Sequence, residues 1–236
     1  MLRSTKSLLV VVCVIALLLI ECAPKPKPPL VLLYESRKEA LEGLDLSSLE
    51  GRTIVIDPGH GGVFRGALGP AGLDEADVNL GVALYLWGLL AEAGAEVELT
   101  RKTDRDFVGG DSLRLSDDLH SRIEVVDRIR PDIFISLHHN SGLAVDTTFN
   151  EIQIYFKMQD RGPSLDLARI VARHLRMNLG ETATRVLPGN YHVLRNSPVP
   201  AILCEPSYIS NTQVESRLKL ADKQRLEAEV YFIALA

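Results

Sequence analysis

Four residues of this chain stand at one end or the other of an apolar run: His60, Glu75, His138 and Glu205. His60 follows the β-branched run Thr53-Ile54-Val55-Ile56, an aspartate and a proline, and it enters a turn crowded with glycine, Gly59, Gly61 and Gly62. Glycine keeps nearby backbone from crowding a side chain delivered to a cleft. A histidine so placed is either a neutral metal ligand or general base, or a turn residue bonded to its neighbours. His138 ends the run Ile133-Phe134-Ile135-Ser136-Leu137, and Glu205 ends Ala201-Ile202-Leu203-Cys204. Glu75 opens a long apolar segment behind a loop with Gly66, Gly69 and Gly72. Acids favour the positive end of a helix for electrostatic reasons alone, yet a carboxylate beside a histidine-bearing loop is also placed to share a metal. Glu205 is either a cap for the next helix or an acid with a task, and its position behind buried strand residues favours the second.

The elements that must position these groups follow from hydrophobic spacing. Strands are expected at 53–57, 95–99, 132–137, 151–156, 191–194 and 201–204, with Gln153 and Tyr155 on one face of the fourth. Residues 78–90 are long enough for a helix and apolar on nearly all sides, which predicts burial against a sheet. Leu115, Leu119, Ile123 and Val126 recur at helical spacing ahead of Pro131, as do Leu167, Val171, Leu175 and Leu179. Leu226, Val230 and Ile233 mark a closing helix, and residues 35–46 are weakly helical. Strands alternating with helices predict a single α/β domain over 51–236, a mostly parallel twisted sheet of about six strands with helices on both faces. Ligands in such sheets gather at the carboxyl ends of the strands, where His60, His138 and Glu205 fall.

The chain has 236 residues, enough for one sizeable domain. Its net charge of -5 speaks against a nucleic-acid partner. Arg3 and Lys6 precede an apolar run from Leu8 to Ile20, too short for a comfortable membrane span and shaped like a signal-peptide core, so residues 1–22 are read as an export signal. Residues 23–50 are a tether rich in proline and lysine with a lead-in. Cys22 resembles the lipidation site of bacterial lipoproteins, which implies a membrane anchor. Glu21 departs from the small residue expected before it, so ordinary cleavage nearby and an uncleaved anchor stay open. The expected location is outside the cytoplasm, periplasmic or otherwise at the cell envelope. Only Cys204 remains in the folded body, which excludes a disulfide framework there.

Taken together, Asp57-Pro58-Gly59-His60-Gly61-Gly62, Gly66-Ala67, Glu75 before Val78-Asn79-Leu80, Leu99-Thr100-Arg101, Ser136-Leu137-His138-His139-Asn140, and Glu205 ahead of Ile209-Ser210-Asn211 resemble the zinc-dependent N-acetylmuramoyl-L-alanine amidases of the AmiC/CwlV type. The match runs in order from about residue 51 to the end. The resemblance implies one Zn²⁺ held by His60, Glu75 and His138, with Glu205 as the catalytic acid–base. It implies peptidoglycan as substrate, cut at the amide between the lactyl group of N-acetylmuramic acid and L-alanine. His139 stands where that family has a small residue and could offer an alternative ligand, although as the neighbour of His138 on a strand end it points the other way, so His138 is kept. Asn140 and His192 are candidates for substrate binding, while His120 and His174 match no ligand motif. Pro206 and Ser207 also depart from the family pattern. Two other classes stay open on the residues alone: a zinc peptidase acting within the stem peptide, and a catalytically idle wall-binding regulator.

Overall fold

The computed structural model describes residues 39–108, 114–142, 147–180 and 183–236. The export signal, Cys22 and most of the tether lie outside the described residues, as does the start of the weakly helical stretch, of which residues 39–42 are helical. Strands β1 (Thr53–Pro58), β2 (Glu96–Leu99), β3 (Ile133–Leu137), β4 (Ile152–Lys157), β5 (Thr184–Gly189) and β6 (Ala201–Glu205) form one sheet in the order β2-β1-β3-β6-β4-β5. All neighbours are parallel except β4 and β6, which run antiparallel.

Alternation along the central strands serves two cores. Ile54 and Ile56 of β1, Ile135 and Leu137 of β3, and Ile202 and Cys204 of β6 pack on one face. Val55, Phe134, Ala201 and Leu203, the residues between, pack on the other. The larger core is covered by α1 (Glu75–Glu92), α3 (Pro163–Leu179) and α6 (Ala221–Leu235), the smaller by α2 (Leu115–Ile129) and α4 (His192–Asn196). A short α5 (Thr212–Leu218) adds Val214 and Leu218 to the larger core. Each aliphatic side chain buried this way contributes about 1.5–3 kcal/mol.

Helix boundaries have local causes. Pro163 occupies the first turn of α3, where a missing N–H is harmless. Gly180 closes that helix in the left-handed conformation at φ 77. Arg130 ends α2 at φ 52, one residue before Pro131.

One expectation is corrected. Residues 191–194 are not a strand: Tyr191 is the N-cap of α4, and the sixth strand is β5. A short apolar run is ambiguous in period, and β5, with Pro188 and Gly189, reads poorly as a strand because it lies at a sheet edge, where proline is tolerated. Helix α1 is buried against the sheet as expected, through the fully buried Val78, Val82, Leu86 and Leu90, while Leu84, Tyr85 and Trp87 on its other side are each more than a third exposed. Buried on every side instead is the second half of α6, residues 227–234.

Candidate metal centre

Strand β1 ends at Pro58, and the chain turns so sharply that His60 takes φ 63, a left-handed conformation rare outside glycine. Such a conformation costs on the order of 1–3 kcal/mol and persists only where its surroundings over-determine it. Two buried arginines supply those surroundings. Arg122 of α2 donates to Asp57 Oδ1 (2.7 Å), to the Pro58 carbonyl (3.0 Å) and to the His60 carbonyl (2.8 Å). Arg101, just after β2, donates to the carbonyls of Pro58 and Gly59, each at 2.9 Å, and of Ala76 at 2.8 Å. Burial and the neighbouring Arg122 bring the Arg101 guanidinium down to about 10. Asp57 also accepts from Thr100 (2.6 Å) and Ser136 (2.7 Å). The turn is thereby clamped from three elements.

On this frame His60, Glu75 and His138 converge. Their ligand atoms all lie within 4.8 Å of one another. Glu75 Oε1 is 3.2 Å from His60 Nε2 and 3.0 Å from His138 Nδ1, and the two imidazoles meet edge to face with centroids 4.8 Å apart. Glu75, the first residue of α1, is held by three further donors: the backbone N–H of Ala67 (2.9 Å), that of His139 (3.1 Å), and Asn79 Nδ2 (3.2 Å). Glycine is required on both sides. A Cβ on Gly59 would lie 2.2 Å from the His138 ring. One on Gly66, at φ 75, would lie 2.5 Å from Glu75 Oε2 and 2.6 Å from the His60 ring.

The protonation states suit a divalent metal. Burial alone would raise the Glu75 carboxyl, but its contacts with His138 and His60 outweigh it and hold the group well below the usual carboxylate range. Burial lowers His138 in spite of Glu75, which favours the neutral imidazole that ligates. Two histidines and one carboxylate form a common catalytic zinc set.

The same residues line a cavity of about 330 Å³ that also reaches Asn140, His192 and Glu205. Glu205 ends β6; its Oε2 is closed off from solvent and finds no hydrogen-bond partner among the described residues. Burial, and secondarily the charge of Glu75, push its carboxyl well above the ordinary range. Asn140 donates to Gln153 Oε1 (2.9 Å), which fixes its amide at the cavity wall. His192, at the start of α4, has an Nε2 that is likewise buried and unpartnered. His139 turns away from the cluster into the interior, 2.8 Å from Asn79 Oδ1 and 3.2 Å from Glu227 Oε2. His120 is exposed beside Glu124.

Sequence reasoning named no role for Arg101, Asn79, Arg122 or Gln153. Arg122 carried a usable signal: it sits on the stripe of Leu119, Ile123 and Val126, where a charged residue is buried only if paired. Gln153 was placed correctly on the face of Tyr155, whose hydroxyl donates to it at 2.6 Å.

The chain is similar to known proteins over most of its length. The family described as N-acetylmuramoyl-L-alanine amidase matches residues 54–235. The germination-specific N-acetylmuramoyl-L-alanine amidase of Bacillus subtilis is 32% identical over 169 residues, 69% of this chain and 69% of that protein. N-acetylmuramoyl-L-alanine amidase AmiC2 of Nostoc punctiforme aligns with a TM-score of 0.68 at 29% identity, covering 79% of this chain and 96% of that one. The catalytic domain of the amidase CwlV from Bacillus (Paenibacillus) polymyxa var. colistinus aligns with a TM-score of 0.67 at 29% identity, covering 78% of this chain and 95% of its own.

Proposed function

Since the chain belongs to the N-acetylmuramoyl-L-alanine amidase family, we propose that its peptidoglycan amidase activity depends on one zinc ion held by His60, Glu75 and His138, with Glu205 as the general acid–base. The observation that carries this reading is the meeting of three ligand atoms within 4.8 Å at a cavity that also receives an unpartnered carboxylate oxygen. When bound, zinc lowers the pKa of a water to about 7 and polarises a carbonyl.

The chain's own residues supply the rest. Glu205 removes a proton from the attacking water as its oxygen bonds to the lactyl carbonyl carbon. It returns that proton to the nitrogen of L-alanine as the carbon–nitrogen bond breaks, so the acid ends as it began. A carboxyl raised by burial holds the proton between the two steps better than an ordinary one. Glu75 stays ionised throughout, and Asn140 and His192 present polar groups to the substrate from the cavity wall.

Incubation of the full chain and of Glu205→Gln with purified peptidoglycan, read by mass spectrometry and by zinc content, tests this. The wild type releases stem peptides with an L-alanine amino terminus. The variant keeps its zinc and loses about 10²–10⁴-fold in kcat. Equal turnover in the two proteins would remove Glu205 from the mechanism; cuts within the stem would make the enzyme a peptidase.

The enzyme's place is the cell envelope, where its substrate lies. We further propose that residues 1–22 direct export and that Cys22 carries an acyl anchor, with the proline- and lysine-rich tether setting the reach of the catalytic domain. Radiolabelled palmitate should enter the wild type and not Cys22→Ala; equal labelling of both would refute the anchor.

A further inference from the structure

The buried hydrogen bonds behind Glu75 fix their own direction. Asn79 lies one helical turn beyond Glu75 on α1, and its Nδ2 is 3.2 Å from Glu75 Oε1 and 3.3 Å from the Gly59 carbonyl. Both neighbours only accept, so the amide must face them with its NH₂, and both of its hydrogens are then used. Oδ1 is left to His139 Nδ1 at 2.8 Å, and that ring nitrogen must therefore be the N–H donor. The other ring nitrogen faces Glu227 Oε2 at 3.2 Å. Asn79, His139, Glu75 and Glu227 are between 0 and 4% exposed, so no solvent competes for these bonds.

We propose that His139 and Glu227 are positioning residues for the ligand Glu75. The inference rests on the zinc reading above and extends it to the closing helix α6, which carries Glu227. Glu227 holds the imidazole, the imidazole's Nδ1–H holds Oδ1 of Asn79, and the amide so oriented donates to Glu75 Oε1. The carboxylate is thereby fixed where it would share a metal with His60 and His138. Without the N–H of His139, Oδ1 of Asn79 loses its donor, and the amide, still turned by Glu75 Oε1 and the Gly59 carbonyl, is held from one side only. Packing alone is a poor account of the pair. A buried histidine and carboxylate are in general no more stabilising than apolar residues of the same volume, whereas this pair ends on a metal ligand. Groups that orient a ligand in this way typically govern metal affinity by 10–100-fold.

The test measures zinc affinity on the full chain by competition with a chromophoric chelator, with the visible spectrum of the cobalt-loaded protein and the melting temperature of the metal-free form. Three variants grade the chain. Glu227→Gln can still donate to His139 Nε2 and preserve the Nδ1–H, so it should hold zinc within about threefold of the wild type. Glu227→Met leaves His139 Nε2 without a partner in the core, loosens the imidazole that holds Asn79, and should weaken zinc by about tenfold. The double variant His139→Ala/Glu227→Leu removes both partners, leaves no charge stranded in the core, and should weaken zinc by 10–100-fold with an altered cobalt spectrum. Wild-type affinity and spectrum in Glu227→Met and the double variant would overturn the proposal, whatever happens to the melting temperature. Equal losses in Glu227→Gln and Glu227→Met would overturn it too, by placing the effect in charge and not in the hydrogen bonds. A wild type that takes up no zinc would overturn this inference together with the metal reading, a failure distinct from the first two.

Discussion

Gly59→Ala reaches the site without removing any of its polar atoms. The added Cβ would lie 2.2 Å from Nε2 and Cε1 of His138. Non-bonded carbon contacts are comfortable at about 3.5–4.0 Å, so ring and backbone must part by more than about 1 Å. Neither moves freely. The Gly59 N–H donates to Leu137 at 2.9 Å, and its carbonyl accepts from Arg101 and Asn79. The His138 ring is held from the other side by Glu75 at 3.0 Å and by the edge of His60.

Overpacking of this kind costs about 1–3 kcal/mol, which for a domain of this size lowers the melting temperature by about 2–12 °C. A displacement of about 1 Å in a catalytic group, by contrast, costs on the order of 10²-fold in rate. Gly59→Ala should therefore remain folded at 25 °C, carry less zinc, and release labelled peptidoglycan fragments about 100-fold more slowly. The assay pairs fragment release with zinc content and a thermal melt. Full zinc and wild-type release in the alanine variant would refute the close approach of Gly59 to a ligand ring, and the site geometry with it.

The opposite sign is expected at Gly88, a mid-helix glycine of α1 with nothing within 4 Å of an added Cβ. Gly88→Ala should stabilise by about 0.5–1 kcal/mol in a denaturant titration and leave turnover unchanged; a destabilised variant would contradict the open space around it. Asp57 governs acid stability. Burial raises its carboxyl, but Arg122, Thr100 and Ser136 outweigh it and set the folded value below the ordinary one of about 3.9. A depressed folded pKa contributes stability that is present above about pH 4 and lost as pH falls through the folded value. Asp57→Asn should cost about 3 kcal/mol or more at pH 7, since it strands part of a buried ion pair, and should flatten the fall of melting temperature below pH 4. An acid limb identical to that of the wild type would show that Asp57 does not carry it.

How much was legible depended on distance along the chain. The strands that lead to His60 and His138 and the strand that ends in Glu205 announce themselves by runs of five or six residues, and their parallel order follows from the helices between them. Even Glu75 could be placed, because helix N-termini carry local signals. Edge strand β5 could not be placed, since its exposed, proline-containing sequence satisfies no burial pattern. The clamp on the His60 turn was equally hidden: Arg122 meets Asp57 across 65 positions, and nothing near either residue names the other.

His139 shows where one rule reached further than it was taken. Alternation along the strand end excluded it as a partner of His138 in the metal set, and that exclusion has a corollary: a side chain sent away from the cavity at the centre of a sheet enters the core. A histidine there must find partners for both ring nitrogens, because buried polar groups are almost always hydrogen-bonded. Its surroundings narrow the choice to polar residues on the helices of that face, of which α1 offers Asn79 and α6 offers Glu227. Asn79 already belonged to the motif around Glu75, so half of the chain was readable from position alone. The other half lay 88 residues away on the closing helix, where only folding could bring it to the same imidazole.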